Sequence, residues 1–286
     1  MKWIEVTVQA VPSRLDLIGD LLLQAAPQGI AEVADADTSR CSLRLYLPAG
    51  PAGHSALTAL KRRLTRVGAD IATRVRSDVA WTRAWKASGR RMRIGRIVVQ
   101  PTWMRRPAGT RVAVVRLNPG LAFGSGEHES TQLCLRAIAR YVEPGAAVLD
   151  LGTGSGILAI AAARFGATRV LAIDNDPVAV AVARANVRAN RVGRSVMVRR
   201  GEGLSHVRLR ADLLVANLTA DTLAPVIRAS WRCLAAAGRL VVSGFTTPQL
   251  PDVRRHLAAA GYVVISVDRQ RAWRAVHAVI ADTHAR

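Results

Sequence analysis

Residues 148–156 read VLDLGTGSG, and this pattern is the strongest indication of the fold. Its first four residues have the apolar pattern of a buried strand, and the helical pattern ILAIAAARF begins directly after it at residue 157. Glycines let the backbone turn sharply and approach a ligand closely, while the first N–H groups of the following helix are free to bind it. A strand, a glycine-rich turn and a helix in this order predict a cofactor site at the carboxyl end of a parallel strand.

An acidic residue stands at the end of the next strand pattern along the chain. The pattern VLAI at 170–173 is followed by Asp174, eighteen residues after Gly156. A carboxylate at this place can accept hydrogen bonds from ribose hydroxyl groups. The glycine spacing is G-x-G-x-G, which departs from the G-x-G-x-x-G fingerprint of dinucleotide sites. Two ligand classes compete at this point, a nicotinamide or flavin dinucleotide and S-adenosylmethionine.

The chain from residue 120 to 286 alternates strand and helix patterns. Strands are predicted at residues 148–151, 170–173, 196–199, 213–216, 239–243, 263–267 and 274–280. Helices are predicted near 128–141, 156–165, 177–190, 221–235 and 248–260. This alternation predicts an α/β domain with a doubly wound, seven-stranded, Rossmann-like sheet. The last two strands are joined by a segment too short for a parallel crossover, so we expect them to form an antiparallel pair.

Two further regions precede this domain. Residues 1–76 predict a smaller α+β domain whose element order, β-α-β-β-α-β, is ferredoxin-like. Its two helices are predicted at 13–25 and 54–67. Residues 77–119 form a connector with a helix around VAWTRAWKAS and two strands, RIGRIVVQ and RVAVVRL.

The chain of 286 residues has a formal net charge of +21, and this charge is concentrated in one region. Residues 61–120 hold sixteen basic and two acidic residues, whereas residues 1–60 are net −2. This charge favours a polyanionic partner, and the alternative is that it reflects only a composition rich in alanine and arginine. Three cysteines without a close pair exclude a disulfide scaffold and a cysteine-based zinc site, and no metal site is predicted. Since no signal peptide or membrane-spanning run is found, we expect a cytoplasmic protein without a membrane partner.

Two more segments narrow the ligand class. Residues 118–131 read NPGLAFGSGEHEST, and residues 215–218 read VANL at the end of the fourth strand of the sheet. Together with VLDLGTGSGILAIAA, the connector residues Trp81 and Trp85, and the late Trp273, they resemble the ribosomal protein L11 methyltransferase family. The resemblance covers nearly the whole chain, and its most specific part is the string PGLAFGxGxH. It implies a class I S-adenosylmethionine-dependent protein-lysine methyltransferase.

The resemblance also implies how S-adenosylmethionine is bound. The glycines of the turn would pass close to its methionine and ribose parts, and the acid after the second strand would hold the ribose hydroxyls. The loop upstream of the first strand would line the methyl-donor pocket. The implied cofactor-binding residues are Phe123, Gly124, Thr131, Asp150, Gly152, Gly154, Gly156, Asp174 and Asn217.

The implied catalytic residues are Asn217 and His128. Asn217 would stand where the methyl group meets the incoming amine, with its side-chain oxygen accepting an amine N–H. Because a lysine amine has a reference pKa of about 10.4, it must lose a proton before it attacks, and either His128 or water could take that proton. The structural alternatives are a strand-end cap for Asn217 and a contact at a helix N-terminus for His128.

The implied substrate is ribosomal protein L11, methylated on lysine side chains and its N-terminal amine. The first domain would present this substrate, the basic 61–120 region would contact either ribosomal RNA or only solvent, and we expect a monomer. Two other functions stay open: a related methyltransferase acting on another protein or on RNA, and a non-catalytic ribosome- or RNA-binding protein. The sequence has Gln270 and Arg271 before Trp273, where the family usually has acidic residues.

Overall fold

The computed structural model describes residues 2–10, 14, 17–19, 21–22, 31–34, 41–77, 91–107, 112–118 and 126–281. The chain forms two compact units, Met1–Ser88 and Gly89–Arg286. Among the described helices, none combines the length and the apolar character needed to span a membrane. The boundaries expected at residues 76 and 119 stay predictions.

The first unit contains a four-stranded antiparallel sheet and one described helix. The strands are β1 (Lys2–Ala10), β2 (Ala31–Ala34), β3 (Cys41–Pro48) and β4 (Asp70–Ser77), in the order β2-β3-β1-β4. Helix α1 (Pro51–Arg66) buries Leu60 and Leu64 against alternate residues of the strands, such as Val6 and Leu45. Most of the helix predicted at 13–25 lies outside the described residues, so the ferredoxin-like arrangement stays a prediction.

A small three-stranded sheet opens the second unit. It consists of β5 (Met92–Ile94), β6 (Ile97–Pro101) and β7 (Ala113–Leu117), with β5 antiparallel and β7 parallel to β6. The stretch RIGRIVVQ, predicted as one strand, is therefore a hairpin. Its turn contains Gly95 at φ +55°, a conformation that glycine adopts without strain. The helix predicted around VAWTRAWKAS lies outside the described residues.

A seven-stranded sheet forms the centre of the second unit. Its strands are β8 (Ala147–Leu151), β9 (Arg169–Asp174), β10 (Val196–Arg200), β11 (Ala211–Asn217), β12 (Leu234–Thr246), β13 (Tyr262–Gln270) and β14 (Trp273–Ile280). Their order is β10-β9-β8-β11-β12-β14-β13. The first five strands in this order run parallel to one another, while β14 runs antiparallel to both β12 and β13. The doubly wound sheet with a final antiparallel hairpin is thus confirmed.

Helices cover both faces of this sheet. They are α2 (Glu129–Tyr141), α3 (Ile157–Arg164), α4 (Pro177–Ala189), α5 (Ala220–Ser230) and α6 (Leu250–Ala259). The core that contains Val148 includes α2, α3 and α4, whereas the core that contains Leu149 includes α5 and α6. The side chains of successive residues of one strand therefore pack into the cores on opposite faces of the sheet, as the pleat of a strand requires.

One predicted helix is too long. The pattern predicted a helix over 221–235, but α5 ends at Ser230, a 3₁₀ turn covers Trp231–Cys233, and β12 begins at Leu234. The alanine-rich stretch after Leu234 has high helix propensity. Pairing of Leu234 with Ala211 of β11 overrides that propensity, because both side chains are buried in the core under α5 and α6.

Candidate active site

The glycine-rich turn follows β8, at the point where the strand order reverses direction between β9 and β11. Gly152, Gly154 and Gly156 have φ values of +73°, +53° and +82°. A Cβ on Gly152 would lie 2.4 Å from the Cδ2 atom of Leu218, and one on Gly156 would lie 3.3 Å from the Cα atom of Ala183. The backbone conformation therefore favours glycine at all three places, and the close neighbours favour it further at Gly152 and Gly156.

The end of β9 holds this turn in place. Asp174 accepts the Gly154 N–H on Oδ2 at 2.8 Å and the Asp176 N–H on Oδ1 at 3.0 Å. Asp176 caps α4 by accepting the Val178 N–H at 2.8 Å, directly before Pro177 in the first turn of the helix. Asp174 is half-buried, and each of its carboxylate oxygens has a second lone pair for another donor.

Asp150 lies beneath the turn. Its side chain is fully buried, and Oδ2 accepts hydrogen bonds from the Thr153 hydroxyl at 2.6 Å and the Ala159 N–H at 3.0 Å. Its Oδ1 is buried without a hydrogen-bond partner. Burial raises the pKa of the Asp150 carboxyl to about 7. These contacts give Asp150 a role in shaping the turn, whereas the sequence grouped it with residues that touch the cofactor.

The raised pKa of Asp150 makes stability depend on pH. The folded protein binds this proton more tightly than the unfolded chain, so the free energy of unfolding falls as pH rises from the ordinary carboxyl pKa towards 7. Between pH 5 and pH 8 the loss from this group is about 3 kcal/mol. Asp150→Asn cannot ionise at this position. Between the two pH values, its free energy of unfolding is expected to fall by about 3 kcal/mol less than that of the wild type, as measured by urea denaturation. Equal losses in both proteins would contradict this account of Asp150.

The N-terminus of α2 brings His128 to the site. His128 is the N-cap residue, and its Nδ1 lies 3.3 Å from the Ser130 backbone nitrogen, whose N–H it accepts, and 2.7 Å from the Ser130 hydroxyl oxygen. Its ring meets the Trp273 ring edge-on, with the centroids 4.3 Å apart. Burial lowers the pKa of His128, and the nearby charge of Glu129 opposes this shift. The predicted alternative, a contact at a helix N-terminus, is thus present.

The β13–β14 turn is attached to the same half of α2. Arg271 forms an ion pair with Glu129 at 3.1 Å, and the Gln270 side-chain amide donates to the Gln132 Oε1 at 2.8 Å. Arg136 donates to the Gln270 Oε1 at 2.7 Å. The two residues that depart from the family pattern therefore connect this turn to α2, next to the contact between His128 and Trp273.

Asn217 and Thr131 meet at the end of β11. The Asn217 Nδ2 donates to the Thr131 Oγ1 at 3.2 Å, and Thr131 is buried. Asn217 is half-buried, and its Oδ1 accepts no hydrogen bond from any described residue. Leu218, the next residue, packs against Gly152. The amide of Asn217 thus stands beside the glycine turn with its oxygen available to a ligand.

Gly244 is a residue of this site that the sequence analysis missed. It forms an irregularity in β12 at φ +96°, and a Cβ on it would lie 2.3 Å from the carbonyl oxygen of Leu218. Because Gly244 has no side chain, the backbone of the residue after Asn217 can lie directly against it. The signal available in the sequence is a glycine directly after the strand pattern RLVVS, since glycine in a strand often marks a close backbone approach.

Gly244→Ala is expected to destabilise the protein. The left-handed backbone and the overlap with the Leu218 carbonyl together lower the free energy of unfolding by about 3 kcal/mol. Gly193→Ala is the matched control, because the nearest atom to a Cβ there is the Val187 Cγ1 at 3.9 Å. Denaturant unfolding of both variants checks this expectation, and an equal effect of the two substitutions would contradict it.

The structure thus brings His128, Thr131 and Asn217 together, and Leu218 joins them to the glycine turn held by Asp150 and Asp174. Phe123 and Gly124 lie outside the described residues. Within the described ranges, no group of three or more His, Cys, Asp or Glu side chains could hold a metal ion.

The chain is similar to known proteins over nearly its whole length. A family model described as "Ribosomal protein L11 methyltransferase (PrmA)" matches residues 2–280. The ribosomal protein L11 methyltransferase of Pelotomaculum thermopropionicum is 37% identical over 305 residues, which cover 97% of this chain and 99% of the relative. The protein of the same name from Heliobacterium modesticaldum is 33% identical, with coverage of 100% and 99%. A crystal structure of ribosomal protein L11 methylase from Lactobacillus delbrueckii subsp. bulgaricus matches with a TM-score of 0.63 at 31% identity, covering 67% of this chain and 98% of that one.

Proposed function

The chain belongs to the ribosomal protein L11 methyltransferase family, and from this premise we propose that it transfers methyl groups from S-adenosylmethionine to lysine and N-terminal amines of ribosomal protein L11. One observation carries the proposal for the site. The Asn217 amide is held by Thr131 beside the glycine turn, with its Oδ1 turned to no described partner. An oxygen acceptor at this point suits an incoming amine.

The residues around the turn fit S-adenosylmethionine. Asp174 offers two carboxylate oxygens with spare lone pairs, which suits the two hydroxyls of a ribose. The turn from Gly152 to Gly156 carries no side chain at three of its positions and ends at the N-terminus of α3. We assign cofactor binding to this turn and to Asp174, with Asp150 as its support. Phe123, Gly124 and Thr131 complete the proposed pocket.

The protein has a limited task in methyl transfer. S-adenosylmethionine, when bound, supplies a methyl carbon that is already activated by its bond to a positively charged sulfur. The protein therefore has chiefly to align a neutral amine with that carbon. Thr131 accepts a hydrogen bond from the Asn217 Nδ2 and so fixes the plane of the amide. Asn217 Oδ1 can then accept an N–H of the amine and direct the nitrogen lone pair away from itself.

His128 is poorly suited to take the proton that the amine must lose. Its Nδ1 accepts the Ser130 N–H, so the lone pair that a base would use already caps α2. Burial also lowers the pKa of His128 and so weakens the ring as a base. We therefore assign the proton to water. His128 acts as a positioning residue that fixes the N-terminus of α2, three residues before Thr131.

His128→Asn separates these two roles, because asparagine also caps helices well but cannot act as a base. The variant is expected to keep kcat within about three-fold of the wild type, whereas loss of a general base costs about 100-fold or more. The rise of kcat/KM with pH should keep its shape, since it reports deprotonation of the substrate amine. Measuring both rates over a pH series checks this, and disappearance of the rise in the variant would restore His128 as the base.

The partners follow from the proposed substrate. We propose that residues 1–60 of the first unit bind ribosomal protein L11, since this part of the unit is net −2 and would attract a lysine-rich protein. The basic 61–120 region is proposed to contact ribosomal RNA. We also propose that the enzyme acts in the cytoplasm, because the proposed substrate is a ribosomal protein, and that it acts as a monomer.

The proposal is tested by locating the transferred label. The protein is incubated with methyl-labelled S-adenosylmethionine, purified ribosomal proteins and ribosomal RNA, and the products are separated. Label in ribosomal protein L11 is the expected result. Label in RNA would indicate the related RNA methyltransferase, and cofactor binding without any transfer would indicate the non-catalytic function.

A further inference from the structure

The loop between β13 and β14 holds an arginine in a backbone conformation that favours glycine. β13 ends at Gln270 and β14 begins at Trp273, so the loop consists of Arg271 and Ala272. Arg271 has φ +49°. Hairpin loops of two residues favour glycine, asparagine or aspartate at such an angle, because other side chains are strained there. Strain of this kind clusters at functional sites, so the Arg271 side chain is a candidate for a function.

This loop borders the proposed amine site. Thr131, which holds the Asn217 amide, lies in the first turn of α2. Glu129 is the first residue of that turn, and its Oε1 lies 3.1 Å from the Arg271 Nη1. The Trp273 ring meets the histidine that caps the same helix, with the ring centroids 4.3 Å apart. Two separate contacts thus keep the loop close to the turn of α2 that positions Asn217.

Positive charge is concentrated around the loop. Residues 269–274 read RQRAWR, with three arginines and no acidic residue. Arg274 donates through Nη1 to the carbonyl oxygen of Arg271 at 2.8 Å. Arg136 of α2 donates to the Gln270 Oε1 at 2.7 Å. These bonds hold the guanidinium groups of two arginines against the loop that carries a third, and such a group attracts an anion.

Most of the Arg271 guanidinium is accessible to a ligand. Its side chain is 82% exposed, and its ion pair with Glu129 involves Nη1. A guanidinium has five N–H donors in a planar fork, and two parallel donors match the two oxygens of a carboxylate. The half-buried Arg274 instead shares its Nη1 between two backbone carbonyl oxygens and so supports the loop. Arg271 can therefore bind a second carboxylate while its contact with Glu129 remains.

We propose that Arg271 binds the carboxylate of an aspartate or glutamate side chain of the substrate protein, close to the amine that receives the methyl group. The inference rests on the proposed function and adds to it a residue that distinguishes one amine of a lysine-rich protein from another. A single carboxylate suits this place better than the phosphates of an RNA strand. Glu127 and Glu129, at the start of α2, would repel a chain of negative charges.

Steady-state methylation of purified L11 tests the role of Arg271. Arg271→Gln is expected to raise the KM for L11 about ten-fold, as loss of a charged hydrogen bond does, and to keep kcat within about two-fold of the wild type. A merely structural role would instead lower kcat, because loss of the contact with Glu129 would displace Thr131 and the Asn217 amide. A lower kcat with an unchanged KM would therefore overturn the inference.

Arg255→Gln is the matched control, because Arg255 is also an exposed arginine paired with a carboxylate, that of Asp252. It lies on α6, which packs on the face of the sheet away from α2. An equal rise in KM in Arg255→Gln and Arg271→Gln would overturn the inference in favour of a general effect of net charge. An unchanged KM in Arg271→Gln, with weaker binding of a labelled single-stranded RNA, would assign the loop to RNA instead.

Arg271→Gly separates substrate binding from stability. Glycine adopts φ +49° without strain, and an exposed ion pair contributes little, so the midpoint of urea unfolding should stay at or above that of the wild type. The KM for L11 should rise as much as in Arg271→Gln. A lower midpoint together with a lower kcat would show that the arginine serves the structure of the loop.

The carboxylate is identified by replacing each aspartate and glutamate of L11 in turn with asparagine or glutamine. Binding of these L11 variants to the full chain is measured by calorimetry with S-adenosylhomocysteine, so that no transfer occurs. One substitution is expected to weaken binding about ten-fold with the wild type and to have no effect with Arg271→Gln, as for two groups in direct contact. Additive losses for every substitution would overturn the inference alone. Absence of any L11 binding by the wild type would overturn the proposed substrate and this inference with it.

Discussion

Asn217→Ala is expected to lower kcat for methyl transfer to ribosomal protein L11 about 100-fold, the loss that follows when a reacting group is misaligned. The substitution removes the oxygen that would accept the amine N–H, while the glycine turn and Asp174 are untouched. The affinity for S-adenosylmethionine should therefore change little. Single-turnover rates and calorimetric binding of the cofactor measure the two effects separately.

Thr131→Val is the companion variant, because it keeps the shape of the buried side chain and removes only the hydroxyl that holds the Asn217 Nδ2. It should lower kcat about ten-fold, since the amide loses its orientation but remains present. In the double variant Asn217→Ala/Thr131→Val, the second substitution should add almost nothing. Independent, additive losses would show that Thr131 does not act through Asn217.

Asp174→Ala is expected to raise the Kd for S-adenosylmethionine about 100-fold, as loss of two charged hydrogen bonds would do. The carboxylate has two proposed tasks, accepting the ribose hydroxyls and holding the Gly154 N–H at 2.8 Å. Both are lost at once. Calorimetric titration of the cofactor measures the effect.

Asp176→Ala is its matched control, because it removes the same charge two residues away. Asp176 caps α4, so the substitution should lower the free energy of unfolding by about 1 kcal/mol. Cofactor affinity should stay close to that of the wild type. If both variants weaken cofactor binding equally, Asp174 contributes only through the field of its charge or through local stability.

The motif at 148–156 and the strand and helix patterns that follow it predicted most of the second unit, because these patterns depend on residues that are adjacent in the chain. An apolar strand, a glycine turn and a helix follow one another in the chain, and repeated alternation leaves few topologies open. The end of β11 was also accessible to prediction, since strands on either side of a switch point bring their carboxyl ends together. Asp174, Asn217 and the final hairpin therefore lie where the patterns placed them in the fold.

Other features depend on contacts between residues far apart in the chain. The direction of the Asp150 side chain is set by Thr153 and Ala159, and the sequence alone does not tell a supporting carboxylate from one that touches a ligand. Gln270 and Gln132 are 138 residues apart, so their hydrogen bond has no local signal. The same holds for Gly244, whose need for a missing side chain comes from the Leu218 carbonyl.

The spatial arrangement of the arginine side chains also could not be predicted from the sequence. The net charge of residues 61–120 located a basic region but could not say which arginines meet. Arg164 lies outside that range, and the charges of Arg106 and Arg116 lower its pKa because α3 packs against β7. A regional sum of charge thus indicates a class of partner, and the packing of helices and strands selects the residues.

Methyl transfer to L11 is tested most directly by mass spectrometry of purified ribosomal protein L11 after incubation with the protein and S-adenosylmethionine. We expect a mass increase in steps of one methyl group on amine nitrogens of L11, and about 100-fold slower formation of the products with Asn217→Ala. An unmodified L11 in the presence of cofactor-binding wild-type protein would contradict it, as would methylation at full rate by the Asn217→Ala variant.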